Sequence, residues 1–166
     1  MASLIEELLD TLTEQRQNYD ELLVLSVEKA NTIKNHDMEL LQKITAAEFA
    51  IIGKNQKLDV KREEIVANVG IVLNQDPQGL TITKIAEIIK DQKESAPLIA
   101  LRDDLERILV SLKEATERNK VLIETSLDSI NFSVSLALEN SQGGKEYLSQ
   151  TGEVMHDDKN FFDAKQ

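Results

Sequence analysis

The sequence predicts an all-α protein: an antiparallel bundle of three long helices plus one short connecting helix, with a flexible C-terminal tail. Three observations carry this. The composition is 30% charged and only 4% aromatic, with no Trp and no Cys, a profile of extended helical bundles and coiled coils. Ile44, Ile51, Leu58, Ile65 and Val72 fall seven apart without a break, which is a heptad seam. Pro97 to Glu139 contains no internal Gly or Pro, and Leu98, Leu101, Leu105, Ile108, Leu112, Ala115 and Leu122 recur at helical spacing. That spacing makes one buried face. At about 1.5 Å per residue the stretch would run some 60 Å. Such a helix cannot bury its seam alone, so other long helices must lie along it.

The first helix begins almost at the terminus, where Ser3 followed by Glu6 has the form of a capping box. Leu4, Ile5, Leu8, Leu9 and Leu12 continue it, and it ends near Asn35 and His36. Asp37 can cap the second helix, and so short a connection forces an antiparallel hairpin. In the second helix the positions accompanying the heptad are Leu41, Glu48, Asn55, Arg62 and Val69. Glu48 and Arg62 either make polar contacts that fix the register or snorkel to the rim of a narrow seam, and the rim reading is preferred.

Asn74 to Gly79 breaks the helix with turn-forming residues. Leu80, Ile82, Ile85, Ile88 and Ile89 then suggest a short helix capped by Thr81 or Thr83. After a further break at Lys93 to Ala96, Pro97 is placed in the first turn of the long helix, where its missing N–H is harmless. Beyond Asn119 the apolar set of that helix moves to Leu122, Ile123, Leu127, Ile130, Val134 and Leu138, with Ser126, Ser129 and Ser133 between. The stripe therefore turns around the helix, and its second half forms a face with a separable role. The chain divides on this reading into a bundle, 1–139, and a flexible tail, 140–166. The tail is punctuated by Gly143, Gly144 and Gly152 yet carries Tyr147, Phe161 and Phe162. Disordered segments that only solubilise are poor in aromatics, so recognition on folding is the preferred role for the tail, the alternative being that its rings dock back onto the bundle.

Function classes narrow by elimination. The formal charge of −11 opposes a nucleic-acid backbone or an anionic membrane. The uninterrupted apolar runs fall far short of a spanning helix, and Met1 leads straight into an acidic amphipathic helix rather than a signal peptide. A soluble, cytoplasmic protein with no membrane insertion is the expectation. The two histidines, His36 and His156, fall in a turn and in the tail. Neither zinc spacing, nor a phosphate loop, nor a nucleophile elbow is present. No cofactor and no enzyme activity are expected. Glu6–Glu7, Glu63–Glu64 and Asp103–Asp104 are solvated helix faces. Leu80 to Ile89 has the pattern of the first helix of a DNA-binding helix-turn-helix, but no basic second helix follows it.

The order of parts is helix hairpin, short helix, very long helix and aromatic tail. It resembles the FlgN family of bacterial flagellar export chaperones over the whole chain. The likeness is sharpest in Glu48 through Leu58 to Arg62 and in Glu117-Arg-Asn-Lys-Val-Leu-Ile-Glu. There Asn119, Leu122 and Ile123 resemble the family's Asn-x-x-Leu-Leu, followed by Leu127, Ile130, Val134 and Leu138. In the tail, Tyr147 followed by Gly152 is similar to the family's Tyr and Gly. The resemblance implies a cytoplasmic chaperone, using no ATP, that holds hook-associated flagellar proteins and prevents their premature association. It implies delivery to the cytoplasmic domain of the export-gate membrane protein. Asn119, Leu122, Ile123, Leu127, Ile130, Val134 and Leu138 would then bind substrate, and Tyr147 would dock at the gate. The competing class is a structural coiled-coil or adaptor protein, with a DNA-binding regulator behind it.

Overall fold

The computed structural model describes the backbone of residues 1–151 and the side chains of residues 1–142. Four helices occur in the described chain: α1 (Ala2–Lys34), α2 (Met38–Leu73), α3 (Ile82–Ile88) and α4 (Gln92–Thr151), with a 3-10 turn at Pro77–Gly79. No strand occurs among the described residues, and the predicted all-α class holds. The chain divides after Glu124 into two compact units.

The first unit is the bundle. Asp37 caps α2 through the Leu40 amide, as the sequence suggested, with His36 in the left-handed region at φ 54°. Contacts between α1 and α2 run in opposite order along the two helices: Gln15 with Asp59, Asn18 with Asn55, Lys29 with Glu48. The hairpin is therefore antiparallel. Between α1 and α4 the order is the same, Arg16 with Asp104 and Ser26 with Asn119. So α4 is parallel to α1 and antiparallel to α2.

Apolar packing concentrates at one end. Ile5, Leu8 and Leu12 of α1 meet Ile65 and Val69 of α2, Ile85 and Ala86 of α3, and Leu98 and Leu105 of α4. The short helix α3 is capped by Thr81, which accepts from the Lys84 amide. It adds two residues to this core although it is only 7 residues long. The turn leading into it folds back tightly. Asn74 takes the left-handed conformation, the Gln75 amide bonds the Gly70 carbonyl at 2.9 Å, and a Cβ on Gly70 would lie 3.1 Å from the Gln75 carbonyl. Glycine is what lets the turn approach α2 there.

Several local expectations change. The helix starts at Ala2 with Met1 as its N-cap and no side-chain cap, so Ser3 and Glu6 form no capping box. Helix α4 starts at Gln92, with Asp91 accepting from the Lys93 amide, and Pro97 lies inside the helix rather than in its first turn. Ile44, Ile51, Leu58 and Ile65 are buried, but Val72 is exposed and Val69 takes its place. Of the stripe residues expected in the core, Ile51, Leu58 and Leu105 are buried and Ile108 is half-buried. The rim reading of the α2 polar positions gives way to cross-helix contacts. Glu48 pairs with Lys29 at 2.8 Å, Arg62 donates to Gln15 at 3.2 Å, and Asn55 is buried against Asn18.

In the second unit, α4 continues past the Gly143–Gly144 pair, where a break was expected, to Thr151. Residues 152–166, with Gly152, His156, Phe161 and Phe162, lie outside the described residues.

Candidate functional site

Each predicted site residue takes its environment from its own unit. Asn119 is buried in the bundle, 6% exposed, and its Nδ2 donates to the Ser26 carbonyl at 2.8 Å and to Ser26 Oγ at 3.0 Å. Its Oδ1 is buried without a partner. Leu122 is half-buried and Ile123 is 38% exposed. Asn119 is thus an internal contact of α4 with α1, whereas the family resemblance had grouped it with the substrate-binding residues.

Two clefts flank that contact. One, of about 610 Å³, is lined by α1, α2 and α4, with Tyr19, Leu22, Ile52, Leu112 and Ile123 supplying most of its apolar wall. The other, of about 240 Å³, lies against Val27, Ala30, Arg118 and Leu122. Burial, reinforced by the Asp59 carboxylate and opposed by Arg62, pushes the Tyr19 phenol above its ordinary pKa. No group of His, Cys, Asp or Glu able to hold a metal occurs among the described residues.

The second unit is a different surface. From Thr125 to Gln142 every described side chain but the half-buried Ser126 is exposed. Leu127, Ile130, Val134 and Leu138 are 53%, 49%, 44% and 48% exposed, at the i, i+3, i+7, i+11 spacing of one helical face. Phe132 and Leu136, at 65% and 44%, do not belong to that face. Sequence reasoning missed both, although a stripe interrupted by a Phe at the wrong phase was a usable signal. The side chain of Tyr147 lies outside the described residues, while its backbone is in α4.

Within Gln92–Gln142 the helix is long and apolar enough to cross a membrane by length and composition. The sequence reading counted only uninterrupted apolar runs. Here the apolar residues are dispersed among Ser and Asn, so no long run forms although the mean is high.

The FlgN protein family model matches residues 1–152. Comparisons with curated proteins and with solved structures returned no match. The match covers the helix hairpin, the connecting helix and the described length of α4, and so the chain belongs to the FlgN family of flagellar export chaperones.

Proposed function

We propose that this chaperone works in the cytoplasm on hook-associated flagellar proteins. It covers an amphipathic segment of each and presents the complex to the cytoplasmic domain of the export-gate membrane protein. The observation that carries the reading is the exposure of Leu127, Ile130, Val134 and Leu138 on one face. A chain that leaves such a row in water gains by laying it against the apolar face of a partner helix. Ile123, in the bundle unit, is itself exposed.

The test is Ile130→Asp. Binding of a purified hook-associated protein, measured by calorimetry, should weaken by about tenfold or more, as for an interface anchor. The circular dichroism should stay that of the wild type, because the residue is about half exposed in the helix. Unchanged affinity, or loss of the fold together with affinity, would remove the reading. A stable assembly of copies through this face, seen by light scattering, would favour the structural coiled-coil alternative.

Docking at the gate is assigned to Tyr147. An aromatic ring with few rotatable bonds and a hydroxyl suits a wet interface. Tyr147→Ala should leave thermal stability unchanged and substrate affinity nearly so, while costing about 2 kcal/mol in binding of the substrate-loaded chaperone to the isolated gate domain. Titration of that domain with loaded wild type and mutant checks it, and equal affinities would reject the assignment.

A further inference from the structure

Helix α4 exposes apolar side chains on two sides between Thr125 and Gln142, and one helix laid on the Leu127–Leu138 face leaves the other side wet. At about 100° per residue, Phe132 lies about 200° around the helix from Ile130, and Leu136 a further 40° or so on. Polar residues separate the two sides in both directions: Asn131 and Ser135 on one flank, Ser129 and Ser133 on the other. Phe132 is the more exposed of the two, at 65%, with Leu136 at 44%.

Charge distinguishes the two sides as well. Asp128 and Glu139 are the charged residues of this stretch, with no cation between Thr125 and Gln142. Asp128 is four residues before Phe132 and Glu139 three after Leu136, spacings that put both carboxylates beside the Phe132–Leu136 pair. The Leu127, Ile130, Val134 and Leu138 face is bordered by Ser, Asn and Ala instead.

From this we infer that the captured protein brings two amphipathic helices onto α4. One lies on the neutral Leu127–Leu138 face. The other lies on Phe132 and Leu136 and carries Lys or Arg opposite Asp128 and Glu139. The inference rests on the capture reading and deepens it by stating what the partner must supply. Carboxylates at both ends of an apolar pair fix the register of a basic helix and reject an acidic one, whereas the neutral face selects by shape alone. Enclosure from two sides also explains how a helix segment whose described apolar side chains are exposed becomes dry in the complex.

The experiment compares three variants of the full chain against a purified hook-associated protein: Ile130→Asp, Phe132→Asp, and the double charge reversal Asp128→Lys with Glu139→Lys. Hydrogen exchange of the partner is followed in the wild-type complex. Phe132→Asp should weaken binding by about tenfold. The charge reversal should weaken it by about fivefold at 0.1 M salt, and by less at 0.5 M, as screening requires. Two separate helical segments of the partner should gain protection. Leu136→Ser repeats the Phe132 test with a substitution that adds no charge. If Phe132→Asp, Leu136→Ser and the charge reversal all bind as wild type while Ile130→Asp fails, the second helix does not exist and capture by a single face stands. If Ile130→Asp also binds normally, the capture reading falls with it. Sedimentation of the chain with phosphatidylcholine vesicles, abolished by Phe132→Asp, would assign this side to lipid and overturn the inference.

Discussion

Two stretches of α4 use the same residue types at the same spacing and meet opposite fates. Leu98 and Leu105 are 0% and 8% exposed in the core built with Ile5, Leu8, Val69 and Ile85, whereas Leu127 and Leu138 are 53% and 48% exposed. Nothing in the helix itself separates them. The difference lies in what the rest of the chain supplies: α1, the end of α2 and the short helix α3 converge on the first stretch. Helical periodicity announces a face that will be covered, and it is silent about whether the cover belongs to the same chain. On the proposed capture reading that silence is the functional point, because a face completed by another protein is written with the same letters as a core.

The sharpest way to break this comparison is to truncate one leucine from each stretch. Leu98→Ala, at a position with 0% exposure, should cost about 2–5 kcal/mol in denaturant unfolding. Leu127→Ala should stay within about 0.5 kcal/mol of wild type. Equal losses would mean that both stretches are core and that the exposed face is not a docking surface.

A second test targets the layer between the apolar end of the bundle and its clefts. Asn18 donates to Asn55 Oδ1 at 2.8 Å, Gln15 bridges Asp59 and Arg62, and Asn55 Nδ2 is buried without a partner. Asn18→Ala should cost about 1–3 kcal/mol, because it strands the Asn55 acceptor in a buried position. Replacing both Asn18 and Asn55 by Leu removes the stranded groups together and should recover most of that loss. Chemical denaturation of the single and double variants checks the cycle. If the double variant is no more stable than the single, the layer is better packed than its unsatisfied atom indicates.

Much of this was legible beforehand, and the failures have physical causes. The hairpin, the Asp37 cap, the turn at Asn74 and the Thr81 cap follow from local chemistry, which needs no knowledge of neighbours. The heptad of α2 held for Ile44, Ile51, Leu58 and Ile65 and failed at Val72. A straight helix drifts about 20° per heptad against a 3.5-residue repeat, and over four heptads that is enough to bring Val69 inward. The rim reading of Glu48 and Arg62 gave way because a polar side chain in a seam can snorkel or pair, and only the partner helix decides. The exposed face was legible through the turning stripe at Leu127, Ile130, Val134 and Leu138. Phe132 and Leu136 were missed because a single-face template discards apolar residues at the opposite phase.

Asn119 gives the finest test, since the family resemblance grouped it with the proposed docking face and the fold puts it inside the bundle. Its amide holds Ser26 through two hydrogen bonds, one to a carbonyl and one to the hydroxyl. Truncation to alanine removes both hydrogen bonds donated by Nδ2, yet three features limit the damage. The Ser26 carbonyl sits within α1, where a helical amide one turn on can still satisfy it. The Asn119 Oδ1 has no partner to lose. The clefts on either side, about 610 and 240 Å³, let water reach the vacated position. Asn119→Ala should therefore cost about 1 kcal/mol in stability, the net worth of an ordinary hydrogen bond, the smallest loss among the buried positions considered. Its effect on capture should be smaller still, with affinity for a hook-associated protein within about twofold of wild type, a change of under 0.5 kcal/mol. Unfolding and calorimetry on the same preparation measure both. A stable Asn119→Ala variant that loses capture about tenfold would show that the residue leaves the bundle to meet its partner, and the division between a self-completed core and a partner-completed face would have to be drawn before Asn119 rather than after it.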